Sequence, residues 1–120
     1  MSKSPIYGSV WSKEYIDAEP LAIVPKHLLP WLIKDRKNAI EGSMEWNSKE
    51  KKLMHDGSGL EKAEQSLRAA THALAENPSD PVVREFLEFQ KGAAEGKVAF
   101  YSGKVYLLDK LIAETQRRVE

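Results

Sequence analysis

The clearest pattern along the chain is a stripe of leucine and alanine that recurs every three or four residues over positions 59–76. This spacing places the apolar side chains on one face of a helix, with charged and polar residues between them. Ser58 followed by Glu61 is typical of a capping box at the start of that helix. We therefore predict a helix over 59–76. The members of its stripe are Leu60, Ala63, Leu67, Ala70 and Leu74.

A connector rich in proline follows this helix. Pro78 ends the helix, and Asp80 before Pro81 is typical of the cap and the first position of a second helix. We place that second helix over 81–118. Two helices joined by so short a link run antiparallel, so residues 59–118 are predicted to form a helical hairpin.

The stretch after Gly96 allows two interpretations. Residues 98–107 are β-branched and aromatic around Ser102-Gly103, which is the pattern of a β-hairpin. The same stretch continues a spacing of four and three, which favours one long helix in which each glycine costs about 1 kcal/mol relative to alanine. We predict the helix, bent within 92–103, and keep the hairpin as the alternative. The helical spacing is carried by Ala94, Val98, Tyr101, Val105, Leu108, Ile112, Thr115 and Val119.

The N-terminal segment 1–25 is too apolar for a free tail and too interrupted by prolines for a long helix. Proline fixes the backbone and removes a hydrogen-bond donor, so we expect extended or irregular chain that wraps the core. A short strand at 21–24 fits the same pattern.

Two shorter helices are predicted between this wrap and the helical hairpin. Pro30 in a first turn and Gly42 as a stop delimit a helix over 30–41. Asn47, three residues before a glutamate, is typical of a helix N-cap and predicts a short helix over 48–55. A loop of aspartate, glycine and serine then leads into the hairpin.

The composition places these elements in one folded unit. The 120 residues are 42% hydrophobic and 30% charged, as in ordinary globular proteins, and we predict a single helical domain over 1–120. The predicted fold class is mostly α, a small helical bundle with a long C-terminal helix and an irregular N-terminal wrap. The alternative is an α+β fold that contains the β-hairpin at 98–107.

Charge and cysteine content narrow the classes of function. Eighteen basic side chains balance eighteen acidic ones, so no overall field attracts nucleic acid or an anionic membrane. The chain has no cysteine, which excludes disulfides and cysteine-ligated zinc. No apolar run approaches the roughly twenty residues that a bilayer crossing needs, and no apolar signal segment follows the first residues. We expect a cytoplasmic protein without a membrane partner.

The residues that could carry chemistry form no complete set. His72 and Glu76 are one helical turn apart, but a metal needs a third ligand and the sequence indicates none. Ser58 lies three residues after His55, yet its capping role explains it better than nucleophilic catalysis does. We therefore expect no metal, no cofactor and no enzymatic activity.

The connector of the helical hairpin resembles part of a known repeat. Residues 69–81, an alanine-rich helix end followed by Asn-Pro-Ser-Asp-Pro, are similar to the end of a tetratricopeptide repeat, over about a tenth of the chain. The repeat period of about 34 residues and the Trp, Leu-Gly and Tyr pattern of that family are missing upstream. The resemblance implies a helix-turn-helix connector, and no binding residue is carried over from it.

A basic segment that contains tryptophans is the first of two candidate functional surfaces. Six positive and four negative charges lie between positions 34 and 52, interleaved with Trp31 and Trp46. Such a segment could bind single-stranded nucleic acid by base stacking and phosphate contacts. The alternative, which we favour, is a solvated face whose tryptophans belong to the core. The candidate nucleic-acid residues are Lys34, Arg36, Lys37, Trp46, Lys49, Lys51 and Lys52.

The C-terminal helix carries the second candidate surface. A second apolar stripe runs beside its core spacing, so the helix is apolar over a wider arc than one buried face requires. We predict that one stripe packs against the 59–76 helix and that the other contacts a second copy or another protein. The alternative is that Trp11, Tyr15 and Ile16 of the N-terminal wrap cover it. The candidate interface residues are Phe100, Lys104, Tyr106, Leu107 and Leu111.

These patterns favour a non-enzymatic function. We expect a protein-interaction module or a small helical subunit of a larger assembly, which binds through the apolar face of the C-terminal helix. A nucleic-acid-associated helical protein is the alternative, and the sequence identifies neither partner.

Overall fold

The described part of the chain is mostly helical. The computed structural model describes residues 13–18 and 23–118. Within these residues lie four α-helices, one 3₁₀ helix and a two-stranded antiparallel sheet, which confirms the mostly α class and the long C-terminal helix. The elements are α1 (Lys13–Ala18), the 3₁₀ helix (Lys26–Leu28), α2 (Leu29–Glu41), β1 (Met44–Asn47), β2 (Lys52–His55), α3 (Leu60–Ala75) and α4 (Pro81–Arg117).

The helical hairpin is formed by α3 and the first half of α4. Small side chains let the two helices approach closely, since Ala63 and Ala70 of α3 and Ala94 of α4 are all buried. The Asp80 carboxylate accepts a hydrogen bond from the Val82 amide at 2.9 Å, which confirms the predicted cap of α4. The leucines of the α3 stripe are half-buried.

Helix α4 runs without interruption for 37 residues, about 55 Å at a rise of about 1.5 Å per residue. Residues 98–107 are helical throughout, so the alternative β-hairpin is wrong. The helical spacing prevails because it buries Ala94, Leu108 and Thr115 on one side of the helix. The Thr115 hydroxyl is satisfied within the helix, because it donates to the Leu111 carbonyl at 2.7 Å.

The predicted helix over 48–55 is wrong, because this stretch forms the turn and second strand of a β-hairpin. The Asn47 side-chain oxygen accepts hydrogen bonds from the amides of Lys49 and Glu50, each at 2.9 Å. These are the bonds that a helix N-cap would make, but here they close a turn. Lys51 then adopts a positive φ of 54°, which reverses the chain into β2.

Ser58 does not cap α3, so the predicted capping box is wrong. The N-cap position is Gly59, at a φ of 99° and with no side-chain cap. Ser58 Oγ accepts a hydrogen bond from the Ser43 amide at 3.1 Å and donates to Asp56. Its hydroxyl therefore fastens the base of the β-hairpin to the start of α3 rather than capping the helix.

The N-terminal part of the fold differs from the predicted extended wrap where it is described. Residues 13–18 contain no proline and form α1 instead of extended chain. Residues 23–25 have no regular structure, and the rest of the predicted wrap, including half of the 21–24 stretch, lies outside the described residues. The predicted helix over 30–41 is confirmed as α2, and Gly42 ends it at a φ of 86°.

Helix α4 contacts α1, α2 and α3 and is the central element of an elongated fold. Its first half packs against α3, and its second half packs against α2, where Arg36 forms an ion pair with Asp109. The radius of gyration is 18.0 Å, whereas a compact chain of this length has about 14 Å. The principal extents are 62 × 46 × 20 Å, so the fold is a flat slab about two helices thick.

Candidate interaction surface

Large apolar side chains are exposed along the first half of α4. Val82 and Phe89 are each 74% exposed and Phe86 is 57% exposed, although phenylalanine and valine are among the residues most often buried. An apolar cluster of this kind on a folded chain is typical of a binding surface. We call these three residues, together with Ala93, the apolar face of α4.

The apolar face of α4 continues the second stripe predicted from the sequence. A helix turns by about 100° per residue, so a spacing of four, three and four residues keeps side chains on one side. Val82, Phe86, Phe89 and Ala93 follow that spacing, and Phe100 lies seven residues beyond Ala93 on the same side. The stripe is therefore longer than the predicted one, and its first half is the more exposed half.

A groove lies between α3 and α4 beside this face. Its volume is about 430 Å³, and four of its nine lining residues are alanines, at positions 69, 70, 93 and 94. Phe89 stands at its rim, so one side of the hairpin carries both a recess and protruding rings. The groove is lined by Ser66, Ala69, Ala70, Leu87, Phe89, Gln90, Ala93, Ala94 and Lys97.

The five predicted interface residues lie further along α4 and are less exposed. Phe100 is 38% exposed and its ring packs edge-on against Tyr101, with 5.2 Å between the ring centroids. Lys104, Leu107 and Leu111 are half-buried. That these residues contact a partner stays a prediction.

Tyr106, the fifth of them, is held by α1. Its hydroxyl donates to Asp17 at 2.8 Å, and the Lys110 ammonium pairs with the same carboxylate. Hydrogen bonds from Lys110 and then from Tyr106 lower the pKa of Asp17. The same bonds raise the pKa values of Tyr106 and Lys110. The ammonium of Lys13 lies 5.3 Å from the Tyr106 ring centroid, so α1 contributes two polar contacts here.

Helix α1 therefore packs against the second half of α4. Ile16 is 5% exposed, so this residue of the N-terminal segment is buried, whereas the alternative that the segment covers the second stripe stays a prediction. Trp11 and the side chain of Tyr15, the other two residues of that alternative, lie outside the described part of the chain. The contact at Tyr106 is far from Phe86 and Phe89, which remain exposed.

The sequence contains a signal for Phe86 and Phe89, because both continue the spacing of the second stripe. The predicted stripe begins at Phe100, beyond Gly92 and Gly96. No heavy atom lies within 4 Å of a Cβ built on either glycine, so both are tolerated on an open helix surface. Counting back by three and four residues through them reaches the two phenylalanines.

Both tryptophans of the basic segment are exposed. Trp31 on α2 and Trp46 on β1 are each 62% exposed, so the expectation that they belong to the core is wrong. The physical reason is that the buried side of α2 is the one that carries Ala39, while among the described elements none makes extensive contacts with the β-hairpin. The Lys34 ammonium lies 5.9 Å from the Trp31 ring centroid.

The β-hairpin gathers part of the predicted nucleic-acid surface. Trp46 pairs with Leu53 across the two strands, and both side chains are exposed on one face with Met44. Lys49 and Lys51 lie in the exposed turn, and Lys52 begins β2. The remaining candidates, Lys34, Arg36 and Lys37, lie on α2, where Arg36 is engaged by its ion pair with Asp109.

The groups singled out for chemistry have structural roles in the fold. The His55 Nδ1 atom accepts from the Gly57 amide at 2.9 Å, so Nε2 carries the proton and donates to the Glu41 carbonyl at 2.6 Å. The Ser58 hydroxyl donates to Asp56, not to His55, and this bond lowers the pKa of Asp56. These three residues therefore form no pair of nucleophile and base.

No metal-binding cluster of His, Asp or Glu occurs in residues 13–18 and 23–118. His72 and Glu76 form an exposed pair at 3.4 Å on α3, as a pair one turn apart would. Within the same described ranges, none of the helices is both long and apolar enough to cross a membrane.

Comparison with known proteins gives no family for the chain. No protein-family model, no curated protein and no solved structure matches it.

Proposed function

We propose that the chain is a non-enzymatic protein-interaction module, or a small helical subunit of a larger assembly, which binds through the apolar face of α4. The observation that carries the proposal is the exposure of Phe86 and Phe89 beside the alanine-lined groove. The chain contains no cysteine, which suits a reducing compartment, and a cytoplasmic location is part of the proposal.

The exposed rings of Phe86 and Phe89 would gain free energy from burial against a partner. Full burial of a phenylalanine side chain contributes about 1.5–3 kcal/mol, so rings that are more than half exposed leave roughly 1–2 kcal/mol each unused. Aromatic side chains beside a pocket are the usual anchors of protein interfaces. A partner helix or loop that covers the face would recover this free energy.

Site-specific photo-crosslinking tests the proposal. A benzophenone-bearing amino acid replaces Phe89, and in a matched control it replaces Thr71, an exposed residue of α3 that does not line the groove. After irradiation in the native host cells, we expect covalent protein adducts from position 89 and none from position 71.

The result that would refute the proposal is equally specific. If position 89, and position 86 in a repeat of the experiment, give no adduct while the protein is folded and abundant, the apolar face of α4 has no protein partner. Where an adduct does form, mass spectrometry of the adduct distinguishes a second copy of the chain from a different protein.

Nucleic-acid binding is the second candidate function, and one observation favours it. Exposed Trp46 lies on the same small hairpin as the lysines of the turn, and stacking of a base on an aromatic ring contributes about 1–3 kcal/mol. The zero net charge of the chain argues against it, because nucleic-acid binders carry a basic surface.

Fluorescence anisotropy with a labelled single-stranded oligonucleotide separates the two candidates. Binding through this surface should weaken steeply with added salt and should be lost in Trp46→Ala. Glu45→Ala, on the same strand, is the control that should leave binding unchanged. Absence of binding at low salt would exclude this candidate.

A further inference from the structure

We infer that the apolar face of α4 binds a second copy of this chain, in an antiparallel arrangement related by a two-fold axis. The inference rests on the proposed function and names the partner for the same surface. In a two-fold dimer the same patch serves both copies, so the patch must be complementary to itself.

The order of large and small residues along α4 provides that complementarity. Phe86 and Phe89 protrude in the first part of the stripe, whereas Ala93 and Gly96 occupy the same side in the next two turns. When two such helices run antiparallel, Phe89 of one copy lies opposite Ala93 of the other. In the same register Phe86 lies opposite Gly96, so each ring meets a small residue.

The groove has room for these rings. Its volume of about 430 Å³ exceeds twice the roughly 150 Å³ of a cavity that holds one benzene ring. Ala69 and Ala93 line the groove and are exposed, so Phe86 and Phe89 of the second copy would contact apolar surface there. Two helical hairpins joined in this way form a four-helix arrangement, in which the apolar stripes become a shared core.

The charges on this part of α4 also suit a second copy. Residues 81–100 carry three basic and three acidic side chains, so the surface selects neither an acidic nor a basic partner. Two identical neutral surfaces approach each other without net repulsion. The six charged residues are Arg84, Glu85, Glu88, Lys91, Glu95 and Lys97.

The exposed area leaves room for a dimer interface. The chain exposes 8820 Å², whereas a compact monomer of 13.5 kDa exposes about 6500 Å². This difference belongs to the whole elongated chain, and it exceeds the roughly 800 Å² that each partner buries in an interface of standard size. A flat fold of this kind presents a broad face that a second copy can cover.

An exchange of the two facing residues tests the inference on the purified full chain. Phe89→Ala removes the protruding ring, and Ala93→Phe places two rings opposite each other. Both positions are exposed, so each variant is expected to fold. The double variant, with Phe89→Ala and Ala93→Phe, restores one large and one small residue at each contact.

Sedimentation equilibrium and light scattering over a range of concentrations give the dissociation constant, and circular dichroism verifies the helix content. We expect a dimer for the natural chain, at least a tenfold weaker dimer for each single variant, and recovery to within about threefold in the double variant. Thr71→Glu, outside the groove, is expected to dimerise like the natural chain.

Two results would overturn the inference. A natural chain that remains monomeric at high concentration excludes the second copy, and a dimer that none of the exchanges weakens must use another surface. Neither result decides the proposed function, because the adduct formed at position 89 in cells identifies any other protein that occupies the face. Failure of the inference and failure of the proposed function are therefore separate observations.

Discussion

Replacement of Leu108 by alanine tests whether α4 has a true core side. Leu108 is 7% exposed and lies in the second half of α4. It directly precedes Asp109, which forms an ion pair with Arg36 of α2. Within the described residues of α4, Leu108 is the one leucine that is fully buried. The substitution shortens this side chain while it preserves helix propensity.

The expected loss follows from burial. Leucine-to-alanine substitutions in cores cost about 2–5 kcal/mol, with the larger values where the surroundings cannot collapse into the cavity. Leu108 is almost completely buried, so we expect about 3–4 kcal/mol for Leu108→Ala, near the middle of that range. Leu67→Ala, at a half-buried position of α3, should cost about 2 kcal/mol.

Urea unfolding followed by circular dichroism measures both losses, at one fixed protein concentration because association stabilises the folded chain. Gln65→Ala, at an exposed position of α3 outside the groove, is the control and should change the free energy of unfolding by less than about 0.5 kcal/mol. A loss below about 1 kcal/mol for Leu108→Ala would refute the reasoning, because it would mean that this side of α4 is not a packed core.

Three further predictions concern single contacts. Gly42→Ala should destabilise strongly, because its Cβ would collide with the Ser58 carbonyl and the His55 ring at a positive φ; thermal unfolding measures this. Asp80→Ala should cost about 1 kcal/mol by loss of the α4 cap, again in urea. The lowered pKa of Asp17 means that its ionised form stabilises the contact of α1 at neutral pH and that this contribution disappears as the pH falls below 3.8. Hydrogen exchange of α1 should then accelerate relative to α3, and Asp17→Asn should remove the difference.

The elements that the sequence predicted correctly are those whose signals are local. The leucine-alanine spacing of α3, the Asp80-Pro81 start of α4 and the Gly42 stop of α2 depend on helix geometry within one or two turns. Such motifs can be recognised in the sequence without knowledge of which other element packs beside the helix. The continuous α4 was also predictable, because its spacing extends over many turns and outweighs the cost of its glycines.

The wrong predictions are those in which one local sequence motif is compatible with two different structures. The side chain of Asn47 accepts from the same amides in a helix cap and in the observed turn, so this motif alone cannot separate them. Ser58 resembled a cap, but its hydroxyl binds Asp56 and the Ser43 amide across the base of the β-hairpin. The exposure of Trp46 likewise depends on which elements pack against the sheet, and no local motif encodes this long-range packing.

The continuity of α4 turns this helix into a rigid spacer. Phe89 lies 28 residues before its end at Arg117, a distance of about 42 Å along the axis. In an antiparallel dimer joined near Phe89, the two C-terminal ends point in opposite directions and lie roughly 80 Å apart. Any domain fused to those ends would be held at that reach, and insertion of seven residues into the second half of α4 would extend each arm by about 10 Å with little rotation of its face.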